Sequence, residues 1–121
     1  MTRILFIDDD PSFVEEMKFL LEENGFEVTT ANDGEDAYKL ADKQDFDLVI
    51  TDMLMTRSNG MEVIIHMREF HPSVKIITIT GGGWASAEFH LDSARLIGSD
   101  GCLAKPFPIA GLLEEIRRVM G

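Results

Sequence analysis

Cysteine, tryptophan and tyrosine each occur once in the 121 residues, and basic residues are scarce. The lone Cys102 excludes an intramolecular disulfide and fits a reducing, cytoplasmic setting. Eleven Lys and Arg stand against 22 Asp and Glu, a net charge of −11. Neutralising a phosphate backbone needs a basic patch, and none is visible, so nucleic acid is not an expected partner. No apolar run approaches the roughly 20 residues of a membrane span. Met1-Thr2-Arg3-Ile4 carries one basic residue and leads straight into an apolar run, which predicts no signal peptide. Repeats, low-complexity tracts and linkers are also missing. The chain therefore reads as one domain over 1–121, with nothing left over for an output domain.

What is present is a regular alternation of short apolar runs and amphipathic segments. Residues 3–7 predict a first strand. Asp10 suits an N-cap and Pro11 a first helical position, so a helix is expected to run to about Asn24 and stop at Gly25. Phe13, Val14, Met17, Leu20 and Leu21 keep its period. Further strands are expected over 26–31, 47–51, 74–79 and 101–104. Helices are expected from Asp33-Gly34 to Lys43, over 60–69, over 86–97, and from Pro108 with Ile109, Leu112, Leu113, Ile116 and Val119 on one face. Such alternation predicts an α/β fold with a parallel sheet covered on both faces.

Polar residues of particular types cluster at the predicted strand ends. Asp8 and Asp9 follow Ile4-Leu5-Phe6-Ile7, and Asp52 follows Leu48-Val49-Ile50-Thr51. Thr80 closes the fourth strand, and Lys105-Pro106 follows the fifth. In a doubly wound sheet all of these fall on the carboxyl edge, where such folds bind ligands. Three neighbouring acids raise each other's pKa and call for a hard divalent cation with oxygen ligands, most plausibly Mg²⁺. A carboxylate can attack phosphorus to form an acyl phosphate, while a metal, a lysine and a hydroxyl take the phosphoryl oxygens.

On these residues the chain resembles the receiver domain of two-component response regulators, which histidine kinases phosphorylate on aspartate. The resemblance covers essentially the whole length. Ile7-Asp8-Asp9-Asp10-Pro11 is similar to the family's acidic pair, and Asp52 with Met55 and Gly60 to its phosphoacceptor strand and loop. Thr80-Gly81 resembles its switch hydroxyl and small neighbour, and Lys105-Pro106-Phe107 its lysine–proline motif, whose peptide bond is usually cis.

The resemblance implies a flavodoxin-like (βα)5 domain, doubly wound, with five parallel strands in the order 2-1-3-4-5. It implies that Asp52 accepts the phosphoryl group, and that Asp9, Asp52 and the backbone carbonyl of Leu54 bind Mg²⁺. Asp8 would act through a water on the metal, Lys105 would pair with the phosphoryl group, and Thr80 would move to hydrogen-bond it. That movement would switch a face made by the fourth helix, fifth strand and fifth helix. The implied partners are a sensor histidine kinase or a histidine phosphotransfer protein, and a downstream protein in trans. Kinase docking would fall near Pro11, Phe13 and Pro106-Phe107. The module would catalyse only its own phosphotransfer and dephosphorylation, as a monomer or a phosphorylation-dependent dimer.

Three positions depart from the family pattern. Thr56 stands where a proline is usual, and Cys102 where a switch aromatic is usual. The run Gly81-Gly82-Gly83-Trp84 replaces a shorter, less Gly-rich connection, which suggests that Trp84 takes over the aromatic switch. Asp8-Asp9-Asp10-Pro11-Ser12 also resembles the motif of haloacid-dehalogenase-type phosphatases, with Asp8 as nucleophile and Asp10 as acid/base. That family needs further acids on a later strand, and none follows Thr80 or Lys105. A flavodoxin-like mononucleotide site would want Gly, Ser or Thr where the first turn offers carboxylates. The seven methionines read as core filler, and His66, His71 and His90 as surface or helix-end residues without metal-ligand spacing.

Overall fold

A computed structural model describes residues 1–55, 59–81 and 98–121. Five strands, β1 (Arg3–Ile7), β2 (Glu27–Ala31), β3 (Leu48–Asp52), β4 (Lys75–Thr80) and β5 (Gly101–Ala104), form one sheet in the order β2-β1-β3-β4-β5. Every neighbouring pair is parallel. The described helices are α1 (Pro11–Glu23), α2 (Gly34–Lys43), α3 (Gly60–Phe70) and α4 (Ile109–Met120). The expected helix over 86–97 lies outside the described residues, as do Thr56, Gly82, Gly83, Trp84 and His90.

Successive strand residues face opposite sides, so each apolar strand feeds two cores. Leu5, Ile7, Val49 and Ile76 join Ala37, Ala41, Val63 and Met67 beneath α2 and α3. Ile4, Phe6, Leu48, Ile50, Ile77 and Ile79 join Val14, Met17, Leu21, Leu112 and Ile116 beneath α1 and α4. Phe13 and Leu20, expected inward, pack only partly buried against this second core. Met17, Met53 and Met67 are core residues, but Met1 and Met120 are exposed. Among the described residues no helix is long and apolar enough to cross a membrane.

Helix ends follow local chemistry. Asp10 Oδ1 accepts the Ser12 and Phe13 amides at 3.1 and 3.4 Å, and Pro11 opens α1. Asp33 caps α2 through the Asp36 amide at 2.9 Å, and Asn59 caps α3 through the Glu62 amide at 2.9 Å. Gly25 follows α1 at φ +91°, the left-handed region in which glycine meets no Cβ penalty.

Strand ends shift by one residue from expectation: β3 runs to Asp52 and β4 to Thr80. The ladder outlasts the apolar run, with Asp52 opposite Ile79 and Thr80 opposite Ala104. The sheet order reverses at β1, which has β2 on one side and β3 on the other. Helices depart in opposite directions from such a point and leave a crevice at the strands' carboxyl ends.

Candidate functional site

The strand register itself brings the acids together. Ile7 pairs with Thr51, so the next residues along β1 and β3 are Asp8 and Asp52. Asp8 is 1% exposed and Asp52 7%. Asp9 is the most open of the three, and one carboxylate oxygen from each of Asp8, Asp9 and Asp52 lies within 4.8 Å of the others.

Lys105 completes the cluster from the far side of β4. Its Nζ donates to Asp8 Oδ2 at 3.0 Å and to Asp52 Oδ2 at 3.3 Å. Its backbone is anchored where its N–H donates to the Thr80 carbonyl at 2.6 Å. The Lys105–Pro106 peptide is cis. The ammonium also stands 4.2 Å over the Phe13 ring, and Phe13 meets Phe107 edge-on at 6.2 Å.

The electrostatics follow from this crowding. Burial and the neighbouring Asp8 charge push the Asp52 carboxyl up to about 6, against the opposing pull of Lys105 and the Leu54 amide. Burial alone would lower Lys105, but its hydrogen bond to Asp8 and the charge of Asp52 outweigh it and raise the ammonium's pKa. One lysine thus serves two buried acids, with a third beside them. The donor set is all oxygen, carries more negative charge than Lys105 offsets, and suits a hard cation such as Mg²⁺.

Of the residues expected here, Asp8, Asp9, Asp52 and Lys105 come into one cluster. Leu54 turns back on the site, its N–H donating to Asp52 Oδ1 at 3.3 Å. Thr80 is buried at the end of β4, one position beyond the residue facing Asp52. Asp10 serves as the α1 cap.

Two glycines matter more than the sequence suggested. A β-carbon at residue 60 would stand 2.4 Å from the Asp52 carbonyl oxygen, so α3 can begin against the end of β3 only with glycine there. A β-carbon at residue 81 would stand 2.5 Å from Lys105 Cβ. The lysine stem therefore passes over β4 through a gap that glycine provides. Nearby polar residues with tight small neighbours are the available sequence signal, but only the fold shows what each glycine touches.

Residues 4–117 match the family model of the response regulator receiver domain. The chain belongs to this family. It is 33% identical over 120 residues to the transcriptional regulatory protein CpxR of Escherichia coli (strain K12), covering 99% of the chain and 50% of that protein. It is 31% identical to the response regulator receiver protein CpdR of Brucella abortus (strain 2308), covering 99% of the chain and 98% of that protein. The chain thus spans about half the length of the first curated relatives it matches. Among solved structures, a receiver domain protein from Clostridium thermocellum superposes with a TM-score of 0.90 at 30% identity, covering 99% of this chain and 94% of that one. The response regulator TrrA of Thermotoga maritima, solved in complex with Mg(2+)-BeF, gives 0.85 at 34%, covering 98% and 99%. Receiver domains are signalling modules that accept phosphate, and the fold and the acidic cluster here agree with that role.

Proposed function

We propose that Asp52 receives a phosphoryl group from the phosphohistidine of a sensor histidine kinase or a histidine phosphotransfer protein. The observation that carries this reading is the sharing of Lys105 between buried Asp8 and Asp52 at 3.0 and 3.3 Å. An Asp52 oxygen attacks phosphorus, the N–P bond of the phosphohistidine breaks, and its electron pair stays on the imidazole nitrogen. The product is an acyl phosphate on Asp52.

Asp9, Asp52 and the Leu54 carbonyl would hold Mg²⁺, with Asp8 acting through a water, and the ion when bound supplies charge neutralisation for the phosphoryl oxygens. The fit rests on the clustered carboxylates, and the Mg(2+)-BeF complex of the Thermotoga relative supports it. Lys105 pairs with the incoming phosphoryl group from the position it holds beside Asp52. Thr80 hydrogen-bonds the same group by turning its hydroxyl toward it. The consequence is a change on the face carrying β5 and α4, where the Cys102 N–H now donates to Glu115 at 2.9 Å. Phe13 and Phe107, in edge contact beside Lys105, offer the donor protein an apolar footing. Output is contact with a protein target in trans, as a monomer or a phosphorylation-dependent dimer. The net charge of −11 argues against these residues touching nucleic acid themselves.

Acetyl phosphate with Mg²⁺ should add one hydroxylamine-labile phosphoryl group by intact mass. The Asp52→Ala variant and a metal-free control should gain none. Labelling that persists in Asp52→Ala would overturn the assignment.

A further inference from the structure

A second group of metal-ligating side chains lies at the opposite edge of the sheet. His66 in α3, His71 at its C-cap and Asp42 in the last turn of α2 each place a ligand atom within 4.8 Å of the others. This corrects the reading of His66 and His71 as residues without ligand spacing. The third ligand comes from a neighbouring helix, which spacing along one segment cannot reveal. Both helices run antiparallel to the strands, so their C-terminal ends sit at the amino edge, away from the Asp8–Asp9–Asp52 cluster.

The Nε2 atoms of His66 and His71 are buried and meet no hydrogen-bond partner among the described residues. Asp42 Oδ1 lies 3.5 Å from His71 Nε2, at the long limit of a hydrogen bond. A neutral imidazole carrying its hydrogen on Nε2 would aim His71 at Asp42, but the second nitrogen, His66 Nε2, stays unserved. One cation between the three would serve both nitrogens and the carboxylate. Ligand atoms on a tetrahedral zinc ion stand about 3.3 Å apart, so the His71–Asp42 pair already has the required separation.

The His66 ring is held in place, stacked on Tyr38 at 3.8 Å and tilted against Phe70 at 4.7 Å. His71 also borders a cleft of about 450 Å³ lined in part by Asp45, Met67 and Phe70. Imidazole with carboxylate is the donor set of borderline divalent ions.

We propose that Asp42, His66 and His71 bind a zinc-type divalent ion that ties the C-terminal end of α2 to that of α3. The proposal is independent of phosphorylation at Asp52. It is tested by calorimetric titration of Zn²⁺ in excess Mg²⁺, which competes for the carboxylate cluster. His71→Gln and Asp42→Asn, both at partly open positions, should each weaken Zn²⁺ binding at least about tenfold, since losing an outer-sphere partner alone costs about that much. Asp52→Asn should leave it unchanged. Nitrogen resonances of the His66 and His71 rings should shift on saturation with Zn²⁺. Equal Zn²⁺ affinity in the native protein and His71→Gln, or ring resonances that do not move, would overturn the proposal.

Discussion

Gly81 and Lys105 pack so closely that a β-carbon at residue 81 would stand 2.5 Å from Lys105 Cβ and 3.2 Å from its Cγ. Gly81 is not among the glycines at positive φ, so the constraint is steric rather than conformational. Gly81→Val should therefore displace the lysine stem while leaving the lysine itself in the chain. A misplacement of this kind is expected to slow phosphorylation by acetyl phosphate by about tenfold or more. The measurement is the initial rate of labelling, read beside a denaturation curve that reports whether the fold survives.

Lys105→Met should leave Asp8 and Asp52 facing each other without their shared cation. Breaking a buried pair costs about 3–5 kcal/mol, and the 27% exposure of the lysine side chain reduces this to about 2. The loss should be largest near pH 7 in metal-free buffer. It should shrink as the pH falls and Asp52 takes up a proton, which without the lysine's opposing pull happens above the native value of about 6. Added Mg²⁺ should restore part of it, as seen in urea midpoints with and without the metal.

Asp52 makes a pH prediction of its own. Its carboxyl is pushed up from 3.8 to about 6, so the folded state holds the proton more tightly than the unfolded chain. The stability this contributes is present below about pH 4 and is lost as the pH rises through about 6. Asparagine cannot ionise, so without metal Asp52→Asn should be more stable than the native protein at pH 7; the shift corresponds to about 3 kcal/mol, which solvent screening at the open side of the site reduces to about 2. Thermal melts of the two proteins should converge toward pH 4. A constant difference across that range would contradict the buried, crowded environment of this carboxylate.

Two glycines separate steric from conformational cost. Gly60→Ala would press a methyl group to 2.4 Å from the Asp52 carbonyl oxygen and 2.8 Å from Met53 Cα, both of them backbone. Overpacking of this kind should cost about 1–3 kcal/mol and disturb phosphorylation, because the Asp52 backbone must shift. Gly25→Ala meets nothing within 4 Å, yet its φ of +91° is strained for alanine. It should cost about 1 kcal/mol with phosphorylation unchanged. Chemical denaturation together with labelling rates distinguishes the two.

Much of this architecture is legible in short stretches of the chain. Ile4 to Ile7 are fully buried, as an unbroken apolar strand implies, and Asp10 caps α1 in front of Pro11 as its position predicts. The β–α alternation leaves few ways to connect the sheet, and the acids end the two strands beside the reversal of order. Distances between remote residues are not legible in this way. Lys105 meets Asp8 across 97 positions, and Gly81 acquires its meaning only once β4 and β5 are side by side. Asp42 and His71 belong to different segments whose helices must first pack together. Strand ends are off by one residue because hydrogen-bonded pairing extends past the last apolar side chain.

Locating the phosphoryl group tests the assignment of Asp52 as its acceptor. Hydride reduction of the labelled protein converts an aspartyl phosphate to homoserine, and peptide mapping then finds the altered residue. Homoserine is expected at position 52 alone, and none in protein labelled without Mg²⁺. Homoserine at position 8, or a label that resists both hydride and hydroxylamine, would contradict it.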